Sequence, residues 1–574
     1  MKQLKDISSR GENLKLMALK AYILFVALIM PLMVIKTVFM SRLYTYAFAS
    51  AYEHAVDHYL VYRTIFFVVF SAIAAVILLF DKNRRIGIYP VLFVCLLILS
   101  VILSKDRLLS IAGCDEQFEG VFVLLSYGVV FYTSKYLAVA DGGREFMKYI
   151  LCISLILNSL ICIVQGAAMN VKAYGTLYNS NYAGFFLAVL IPVTLWQLIS
   201  DHFGEKEPVT KQTMSGQSSL RHGIKWLPIP TLIFALIAII MTGARTAVAA
   251  VVLVAVIMII YRFFPSQKVI FILSAVVMTV LIIVLVSAFF SAGAGTYSNK
   301  VKDVSILEEG IGFDLGCEVL TVAFDMPDED HYYFVVKNES GEELPYDENA
   351  QGTMYEIKDE RYEDFSFTIA DYGSFKGFLV YTDNRTWYFY RDTQGEYFYL
   401  NGYTRPEKFV RAPFIGFEKN EGFASNRGYI WSRTLGLFSC EQGSLSFKEQ
   451  ESTASSLESL SQVGIKELFL GFGPDTFATV FPQNDVNKYL LTDIPYKMII
   501  TRPHSFFLQT GVQLGIPMLC LLLWLGAGLF AISVKKQDTV TALTLLLFAI
   551  CSLFYDSTPI VMPVFMLILG MKKD

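Results

Sequence analysis

The sequence predicts a mostly α-helical, polytopic membrane protein of about 12 transmembrane helices, with an extracytoplasmic β-sandwich domain inserted in the large loop before helix 10. Three observations predict this fold class. The chain of 574 residues is 54% hydrophobic and only 17% charged, and its mean hydropathy is +0.49, which is too apolar for an ordinary soluble protein. It contains twelve long apolar runs. One long stretch between the ninth and tenth runs is instead rich in charged and aromatic residues.

The apolar runs are the candidate transmembrane helices, because a bilayer core requires about 20 consecutive apolar residues per helix. The first run is too long, and the following runs too many, for a cleaved signal peptide. The runs lie near residues 17–40, 61–80, 88–104, 119–137, 147–168, 182–200, 226–243, 246–263, 269–290, 505–533, 540–555 and 558–571.

Lys and Arg are distributed unequally between the two sets of short connections, counted without the large loop. One set contains 21 of them and the alternate set only 6. The positive-inside rule therefore places both termini in the cytoplasm and the large loop outside, as expected for a multi-pass protein of the plasma membrane. The net charge of −4 gives no reason to expect a nucleic-acid partner.

The chain divides into three sections: a membrane domain over 1–290, an extracytoplasmic loop over 291–504 and a membrane domain over 505–574. Within the loop, EDFSFTIADYG and TWYFYRDTQGEYFYLNG alternate bulky and polar residues with a period of two, which predicts a β-sandwich over about 312–415. The pattern then returns to helix over about 425–504. The many aromatic residues of the sandwich either fill its core or stack on sugar rings.

Six polar clusters fall at ends of apolar runs or in the large loop, and the orientation above assigns all of them to the outer face. We therefore expect a shared cavity at the outer membrane surface. The clusters are CDEQFEG (114–120), KAYGTLYNSNYAG (172–184), MTGAR (241–245), SNRGYIW (425–431), RPHS (502–505) and YDSTP (555–559).

Three arginines in these clusters indicate an anionic ligand. Arg245 lies at a Thr-Gly bend between two apolar runs, where a cation is costly unless it is paired or reaches water. Arg427 and Arg502 add two more external cations. Guanidinium groups bind phosphate bidentately, so a diphosphate ligand fits them. The alternative for Arg245 is snorkelling to lipid phosphates.

His504 is the candidate catalytic residue. It follows Pro503 and directly precedes an apolar run, which holds it at a fixed point over the membrane boundary. Neutral imidazole accepts a proton from a hydroxyl near physiological pH, and nearby positive charge favours the neutral form. The alternative is an inert histidine in a surface loop.

Several other functional classes lack their sequence signals. The chain has only six histidines and no paired Cys or His spacing typical of zinc, so we expect no metal site and no cofactor. It has no P-loop and no dinucleotide-binding fingerprint, and we interpret GFGPDTF as a glycine turn. The pairing of Cys317 with Cys440 in the large loop is left open.

The order of YGTLYNSNYAG, MTGARTAVAAVVL, NRGYIWSRTLGLF, FLGFGPDTF and RPHSFFLQTGVQLGIPML resembles the O-antigen ligase and polymerase superfamily. The resemblance covers the membrane core and the end of the loop, but not the sandwich. It implies a GT-C-like, metal-independent membrane glycosyltransferase that moves a glycan from an undecaprenyl-diphosphate carrier to an acceptor sugar hydroxyl at the outer face of the plasma membrane.

The resemblance also implies roles for particular residues. Arg245 and Arg427 would hold the diphosphate, with Arg433 as the alternative to Arg427, and His504 would activate the acceptor. Arg502 is a further diphosphate candidate. The remaining pocket candidates in the outer clusters are Glu119, Asn179, Asn181 and Tyr174.

Two other classes of function remain open at the level of sequence. One is a polysaccharide or lipid exporter, although the apolar runs contain few of the charges that proton-coupled transport uses. The other is a membrane-anchored glycan-binding protein. Within the enzyme class, ligase and polymerase share the donor and differ only in the acceptor.

Overall fold

The coordinates are a computed structural model of the whole chain. They describe residues 2–40, 54–79, 87–203, 226–290, 301–438 and 465–572, with short gaps inside the last two ranges. Cys317 and Cys440, whose pairing the sequence leaves open, lie outside the described residues.

The described residues are mostly helical, and each of the twelve apolar runs contains helix. The first helix continues through a π-helical segment (Phe25–Ile29) to Leu32. In chain order, the helices are α1 (Lys2–Leu24), α2 (Val61–Leu79), α3 (Ile88–Ile102), α4 (Arg107–Ala112), α5 (Val121–Val139), α6 (Gly143–Met169), α7 (Ser180–Phe203), α8 (Pro228–Thr242), α9 (Arg245–Phe263), α10 (Gln267–Phe290), α11 (Phe423–Gly436), α12 (Ile465–Leu470), α13 (Phe477–Val480), α14 (Phe506–Leu514), α15 (Ile516–Lys535), α16 (Thr539–Ser552) and α17 (Met562–Gly570).

Eight of the described helices are long and apolar enough to cross a membrane. They are α1 with its extension, α2, α5, α6, α7, α9, α10 and α15. Helices α3, α8 and α16 are apolar but shorter, and α17 has only 9 residues. The predicted fold class is therefore confirmed as mostly helical with membrane-length helices, whereas the number of 12 crossings stays a prediction.

The chain forms two compact units. The first consists of residues 1–280, 445–480 and 501–574, and the second of residues 281–444 and 481–500. The first unit therefore contains nearly all of the apolar helices, and the second contains the sheets.

Helix α7 is central to the first unit. It packs against α6, α8, α9, α16 and α17. Its membrane-length segment is 78% buried, compared with 11% for that of α10. Asn179 caps its start, because the side-chain Oδ1 accepts a hydrogen bond from the backbone N–H of Asn181 at 2.8 Å. The residues at this start are therefore held in a fixed position inside the helix bundle.

Two helix breaks create polar backbone positions in the first unit. α8 ends at Gly243, whose φ of +66° is in the left-handed region that favours glycine, and α9 begins two residues later at Arg245. The tenth apolar run is likewise divided at Gly515, with a φ of +86°, into α14 and α15. The side chain of Pro517, at the second position of α15, then fits the first turn of a new helix.

The second unit contains two antiparallel sheets. Their orders are β3-β4-β5-β6 and β13-β12-β11-β10-β9-β8-β7, and a separate hairpin of the first unit contains β1 and β2. In chain order, the strands are β1 (Thr37–Met40), β2 (His54–Asp57), β3 (Asp303–Leu307), β4 (Gly310–Asp314), β5 (Val319–Asp325), β6 (Tyr333–Lys337), β7 (Tyr346–Glu348), β8 (Tyr355–Ile357), β9 (Ser366–Asp371), β10 (Lys376–Thr382), β11 (Arg385–Arg391), β12 (Tyr397–Asn401) and β13 (Arg405–Glu407).

The two sheets of the second unit share one aromatic core. The ring centroid of Phe313 in β4 lies 5.5 Å from that of Trp387 in β11, and Phe324 in β5 stacks on Phe378 in β10 at 5.2 Å. The alternation of bulky and polar residues therefore correctly predicts an antiparallel sheet region. Its first hairpin, β3 and β4, begins at Asp303, ahead of the predicted start at 312, because its DVSIL strand lacks the aromatic alternation of the later strands.

Candidate functional site

Five of the six predicted polar clusters are connected by direct contacts within the first unit. The MTGAR turn is joined through Met241, whose carbonyl accepts a hydrogen bond from the N–H of Ala173 at 3.0 Å, and through Ala244. The clusters are the turn before α5, the loop before α7, the turn between α8 and α9, the segment before α14 and the segment between α16 and α17. The sixth cluster, which contains Arg427, belongs to the second unit.

His504 and Asp556 form a dyad. The Nδ1 atom of His504 lies 3.2 Å from Oδ2 of Asp556, whose side chain is 1% exposed, whereas the His504 side chain is 40% exposed. The other carboxylate oxygen of Asp556 accepts a hydrogen bond from the backbone N–H of Ser505 at 3.0 Å. A carboxylate at this distance favours a proton on Nδ1 and leaves Nε2, on the other side of the ring, as the proton acceptor. Within the described residues, Oδ2 of Asp556 itself makes no hydrogen bond.

The backbone of His504 has a φ of +53°, which is uncommon for a residue other than glycine. It is held by the backbone of the neighbouring segment, since the N–H of Phe506 donates to the carbonyl of Tyr555 at 2.9 Å. The two segments that carry the dyad are thus fastened to each other directly after His504, through Ser505 and Phe506.

Glu119 lies behind the dyad and is 2% exposed. Its carboxylate accepts hydrogen bonds from Tyr127 Oη at 2.5 Å, Gln509 Nε2 at 3.1 Å and the Ser557 hydroxyl. Gln509 Oε1 in turn accepts from the backbone N–H of Ser557 at 2.8 Å. Glu119, a predicted pocket candidate, is therefore in contact with the residues that flank the dyad rather than with solvent.

A second buried acid, Asp475, supports the turn that carries Glu119. Its Oδ2 atom accepts hydrogen bonds from the backbone N–H groups of Cys114 at 2.5 Å and Glu119 at 2.9 Å. Burial raises the pKa of Asp475 to about 8, against the lowering effect of these hydrogen bonds. Burial also raises the pKa of Glu119 to about 6, which hydrogen bonds from Ser557 and Tyr127 oppose.

Arg502 is buried, with 4% exposure. One of its nitrogens donates to the backbone carbonyl of Glu116 at 2.5 Å, and its guanidinium carbon lies 5.1 Å from the ring centroid of Tyr182. Part of its hydrogen-bonding capacity is thus used inside the protein. This geometry favours a structural contribution over the predicted role as an open diphosphate ligand.

Arg245 has the opposite surroundings. Its side chain is exposed and, within the described residues, makes no hydrogen bond or ion pair. The turn that presents it is ordered by hydrogen bonds, because Thr242 Oγ1 accepts from the N–H of Ala244 at 3.2 Å and donates to the carbonyl of Ile239 at 2.6 Å. The stem of Lys172 crosses the same turn at Gly243. Two exposed cations, Arg245 of the turn and Lys172 of the loop before α7, therefore lie at this turn.

The start of α7 contacts each of the segments that carry these groups. The ring of Tyr182 lies under Arg502, and a Cβ at Gly184 would come within 2.3 Å of Ala244, the residue before Arg245. The ring of Phe185 lies 5.4 Å from that of Tyr555, the residue before Asp556. Successive residues of a helix rise by about 1.5 Å, so these three contacts fall within one turn.

The remaining pocket candidates of the first unit lie in the loop before α7. Asn179 is exposed and caps α7 through Asn181, as described above. The backbone N–H groups of Tyr174 and Gly175 both donate to Gln165 Oε1, at 2.8 and 2.7 Å. These contacts give Asn179 and Tyr174 roles in shaping the loop, and Asn181 is half-buried at the helix start.

Arg433 in the second unit is a scaffold residue. It is 1% exposed and forms ion pairs with Glu421 at 2.5 Å and Asp485 at 2.7 Å. Its guanidinium also lies over the rings of Phe414 and Tyr429, at 5.0 and 4.8 Å. A buried arginine with two carboxylate partners has no open side for a diphosphate, so we do not include Arg433 in the donor site.

Arg427 is half-buried in the second unit, and its Nη1 atom donates to the carbonyl of Ala424 at 2.7 Å. The three residues before it, Ala424, Ser425 and Asn426, have φ values of 50°, 62° and 64°. Three consecutive left-handed residues other than glycine are rare, and they set the direction in which α11 presents Arg427.

Three polar residues of the first unit were not singled out from the sequence. Asp556 lies in the YDSTP cluster, whose outer location is predicted, but its pairing with His504 joins positions far apart in the chain. Asp475 lies in GFGPDTF, which we interpreted only as a glycine turn. Gln509 follows His504 by little more than one helical turn. This spacing was the signal in the sequence that could have placed Gln509 near the site.

The chain matches no protein-family model, no curated protein and no solved structure. The chemistry of the site is therefore argued from its geometry. An oriented imidazole, an exposed arginine on a fixed turn and a buried polar support are suited to removing a proton from a hydroxyl beside a bound anion.

Proposed function

We propose that this protein is a membrane glycosyltransferase of the O-antigen ligase and polymerase type. It transfers a glycan from an undecaprenyl-diphosphate carrier to an acceptor hydroxyl at the outer face of the plasma membrane. In this proposal the short apolar helices also cross the bilayer, giving 12 crossings with both termini in the cytoplasm and the sheet region outside. The reaction uses no metal and no cofactor.

The observation that supports this function best is the set of contacts made by the start of α7. Tyr182, Gly184 and Phe185 contact Arg502, Ala244 and Tyr555, respectively. Arg245 and Asp556 are thus the next residues after two of these contacts, and His504 is two residues after the third. A base and an anion-binding cation at one helix end are the two groups that an inverting glycosyl transfer from a diphosphate requires.

In the proposed reaction, the acceptor hydroxyl oxygen attacks the anomeric carbon of the donor. The bond between that carbon and the diphosphate oxygen breaks, and undecaprenyl diphosphate leaves with the bonding electrons. The hydroxyl proton moves to Nε2 of His504, while the proton on Nδ1 stays on the imidazole and faces Asp556. Arg245 binds the diphosphate and stabilises the charge that develops on it, and Arg427 is a second candidate for this role. In-line displacement inverts the anomeric centre.

The test is transfer by the purified full-length protein in lipid nanodiscs, with a synthetic polyprenyl-diphosphate oligosaccharide as donor. The wild type should form a glycosidic product, and His504→Ala should lower the rate by about 10²–10⁴-fold while donor binding persists. His58→Ala is the matched control, because His58 is an exposed histidine of the same unit and should not affect the rate.

The size distribution of the product divides the enzyme class. A ladder of repeat units indicates a polymerase, and a single addition to a different acceptor indicates a ligase. Donor movement between leaflets without a covalent product would instead indicate an exporter. Glycan binding that His504→Ala leaves intact, with no product from the wild type, would indicate a glycan-binding protein.

A further inference from the structure

The buried carboxyl group of Glu119 has no basic side chain among its hydrogen-bond donors in the described structure. Its three donors, Tyr127, Gln509 and Ser557, are all neutral. The charge of Arg502 is close enough to favour the carboxylate form, but all the hydrogen bonds come from neutral groups. Burying a carboxylate without a directly paired cation is costly, and an apolar side chain of similar size would fill the volume at lower cost. The acid therefore calls for an explanation other than stability.

Two of the three donors belong to the segments that carry the dyad. Ser557 directly follows Asp556, and Gln509 lies on the first turns of α14, which begins after His504. Gln509 also accepts from the backbone N–H of Ser557. Glu119, Gln509 and Ser557 therefore form a closed ring of hydrogen bonds, to which Ser557 contributes both its hydroxyl and its backbone N–H. This ring links the two segments at a second place, beyond the contacts that Ser505 and Phe506 make.

The turn that carries Glu119 is itself fastened to the segment before His504. Gln117 Nε2 donates to the carbonyl of Thr501 at 2.8 Å, and the carbonyl of Glu116 accepts from Arg502. Asp475 holds the backbone of Glu119. Since the carboxyl is both inaccessible and fixed, Glu119 is not suited to exchange protons with a substrate.

We propose that Glu119 is a positioning residue, which holds the segments of His504 and Asp556 in register so that the imidazole keeps its orientation toward the acceptor. This inference rests on the proposed function for its effect on transfer, but its effect on the dyad is independent of that function. Gln509 and Ser557 serve this purpose because they are anchored on the two dyad segments, on α14 and before α17, whereas Tyr127 reaches the carboxylate from α5.

The experiment measures the dyad directly, by nitrogen NMR of the protein labelled at its six histidines. The spectrum of His504→Ala identifies the His504 signals. In the wild type we expect Nδ1 protonated and hydrogen-bonded, with Nε2 as the acceptor. Glu119→Ala should replace this signature with a mixture of tautomers and lower kcat by about 100-fold, with KM for the donor changed less than about threefold.

Two more variants separate positioning from general loss of stability. Ser557→Ala removes one link of the ring and should shift the His504 signals in the same sense, with a smaller loss of kcat, so it decides the question if Glu119→Ala does not fold. Tyr127→Phe is the matched control. It takes one donor from the same carboxylate but leaves both dyad segments linked, so the His504 signals should not change.

The outcomes are distinguishable from failure of the proposed function. If the wild type transfers no glycan but the His504 signature depends on Glu119 and Ser557, the positioning role stands and the proposed reaction is wrong. If both variants retain the wild-type His504 signature, the positioning role is overturned, whatever the rate of transfer.

Discussion

Each unit of the protein contains a buried polar cluster, and the two clusters are built on different principles. In the second unit, Arg433 pairs with both Glu421 and Asp485 in a closed, buried group. In the first unit, Glu119 is bound by neutral donors and adjoins a dyad whose histidine is 40% exposed. A cluster whose charged groups pair with one another inside the protein maintains a fold. A cluster that leaves one polar group at the surface is suited to act on a ligand.

The largest effect on stability should come from opening the closed cluster. Arg433→Met leaves two buried carboxylates without their cation, which should cost about 3–5 kcal/mol of unfolding free energy. Calorimetry of the purified protein measures this as a lower unfolding temperature. The matched control is Arg361→Met, since Arg361 pairs with Asp359 in the same unit but is 53% exposed, and should not shift the transition measurably. Equal transitions for both variants would contradict the scaffold role of Arg433.

Substitutions in the open cluster, which is Glu119 with the His504–Asp556 dyad, should instead change the rate of transfer. Asp556→Asn should lower the rate of transfer by about 10²–10⁴-fold, because an amide at this position favours the wrong imidazole tautomer. Asp538→Asn is its control. Asp538 is also an aspartate next to α16, but it caps the start of that helix through Thr541, so its loss should reduce stability slightly and leave transfer intact. A wild-type rate in Asp556→Asn would exclude the dyad from the chemistry.

In the first unit, pH acts on stability through Asp475, behind the dyad. Its pKa is raised from an ordinary value near 4 to about 8, so between these values the folded state holds a proton that the unfolded state has lost. Stability therefore falls as pH rises through this window, by about 1.4 kcal/mol per pH unit for this group. Asp475→Asn keeps an acceptor for the N–H groups of Cys114 and Glu119 and removes the titration.

Unfolding measured at pH 5 and pH 7 tests this effect of Asp475. Asp475→Asn should gain about 2–3 kcal/mol relative to the wild type over that interval, because Glu119 is common to both proteins and its contribution largely cancels. A stability difference that does not vary with pH would show that the folded Asp475 titrates at its ordinary pKa.

The comparison also shows how far sequence reasoning extends. The membrane-length helices follow from hydropathy alone, because a helix in lipid must satisfy its backbone internally and cover it with apolar side chains. The division of the tenth run at Gly515 was not predicted, although the Gly-Ile-Pro sequence there was the signal. A continuous apolar run conceals a break when the residues on both sides remain apolar.

The site was predictable in its residue types more than in its partnerships. His504 and Arg245 follow from the cost of polar groups at a membrane boundary. By contrast, Arg433 remains an alternative to Arg427 at the level of sequence, and the buried carboxylates of Glu421 and Asp485 are what identify Arg433 as a scaffold residue. Such partners come from distant parts of the chain, so local pattern carries no information about them.

The smallest predicted effect concerns the exposed cation of the open cluster. Arg245→Lys retains the charge but loses the planar, bidentate geometry, so one charge-assisted hydrogen bond to the diphosphate is lost and donor use should fall about tenfold. The free energy of unfolding should change by less than about 0.5 kcal/mol, because the Arg245 side chain makes no hydrogen bond or ion pair within the described residues. Arg107→Lys is the control, as an exposed arginine of the same unit whose Nε atom donates to the carbonyl of Ile102 at 2.9 Å. Unchanged donor kinetics in Arg245→Lys would indicate that this arginine reaches lipid phosphates rather than the donor.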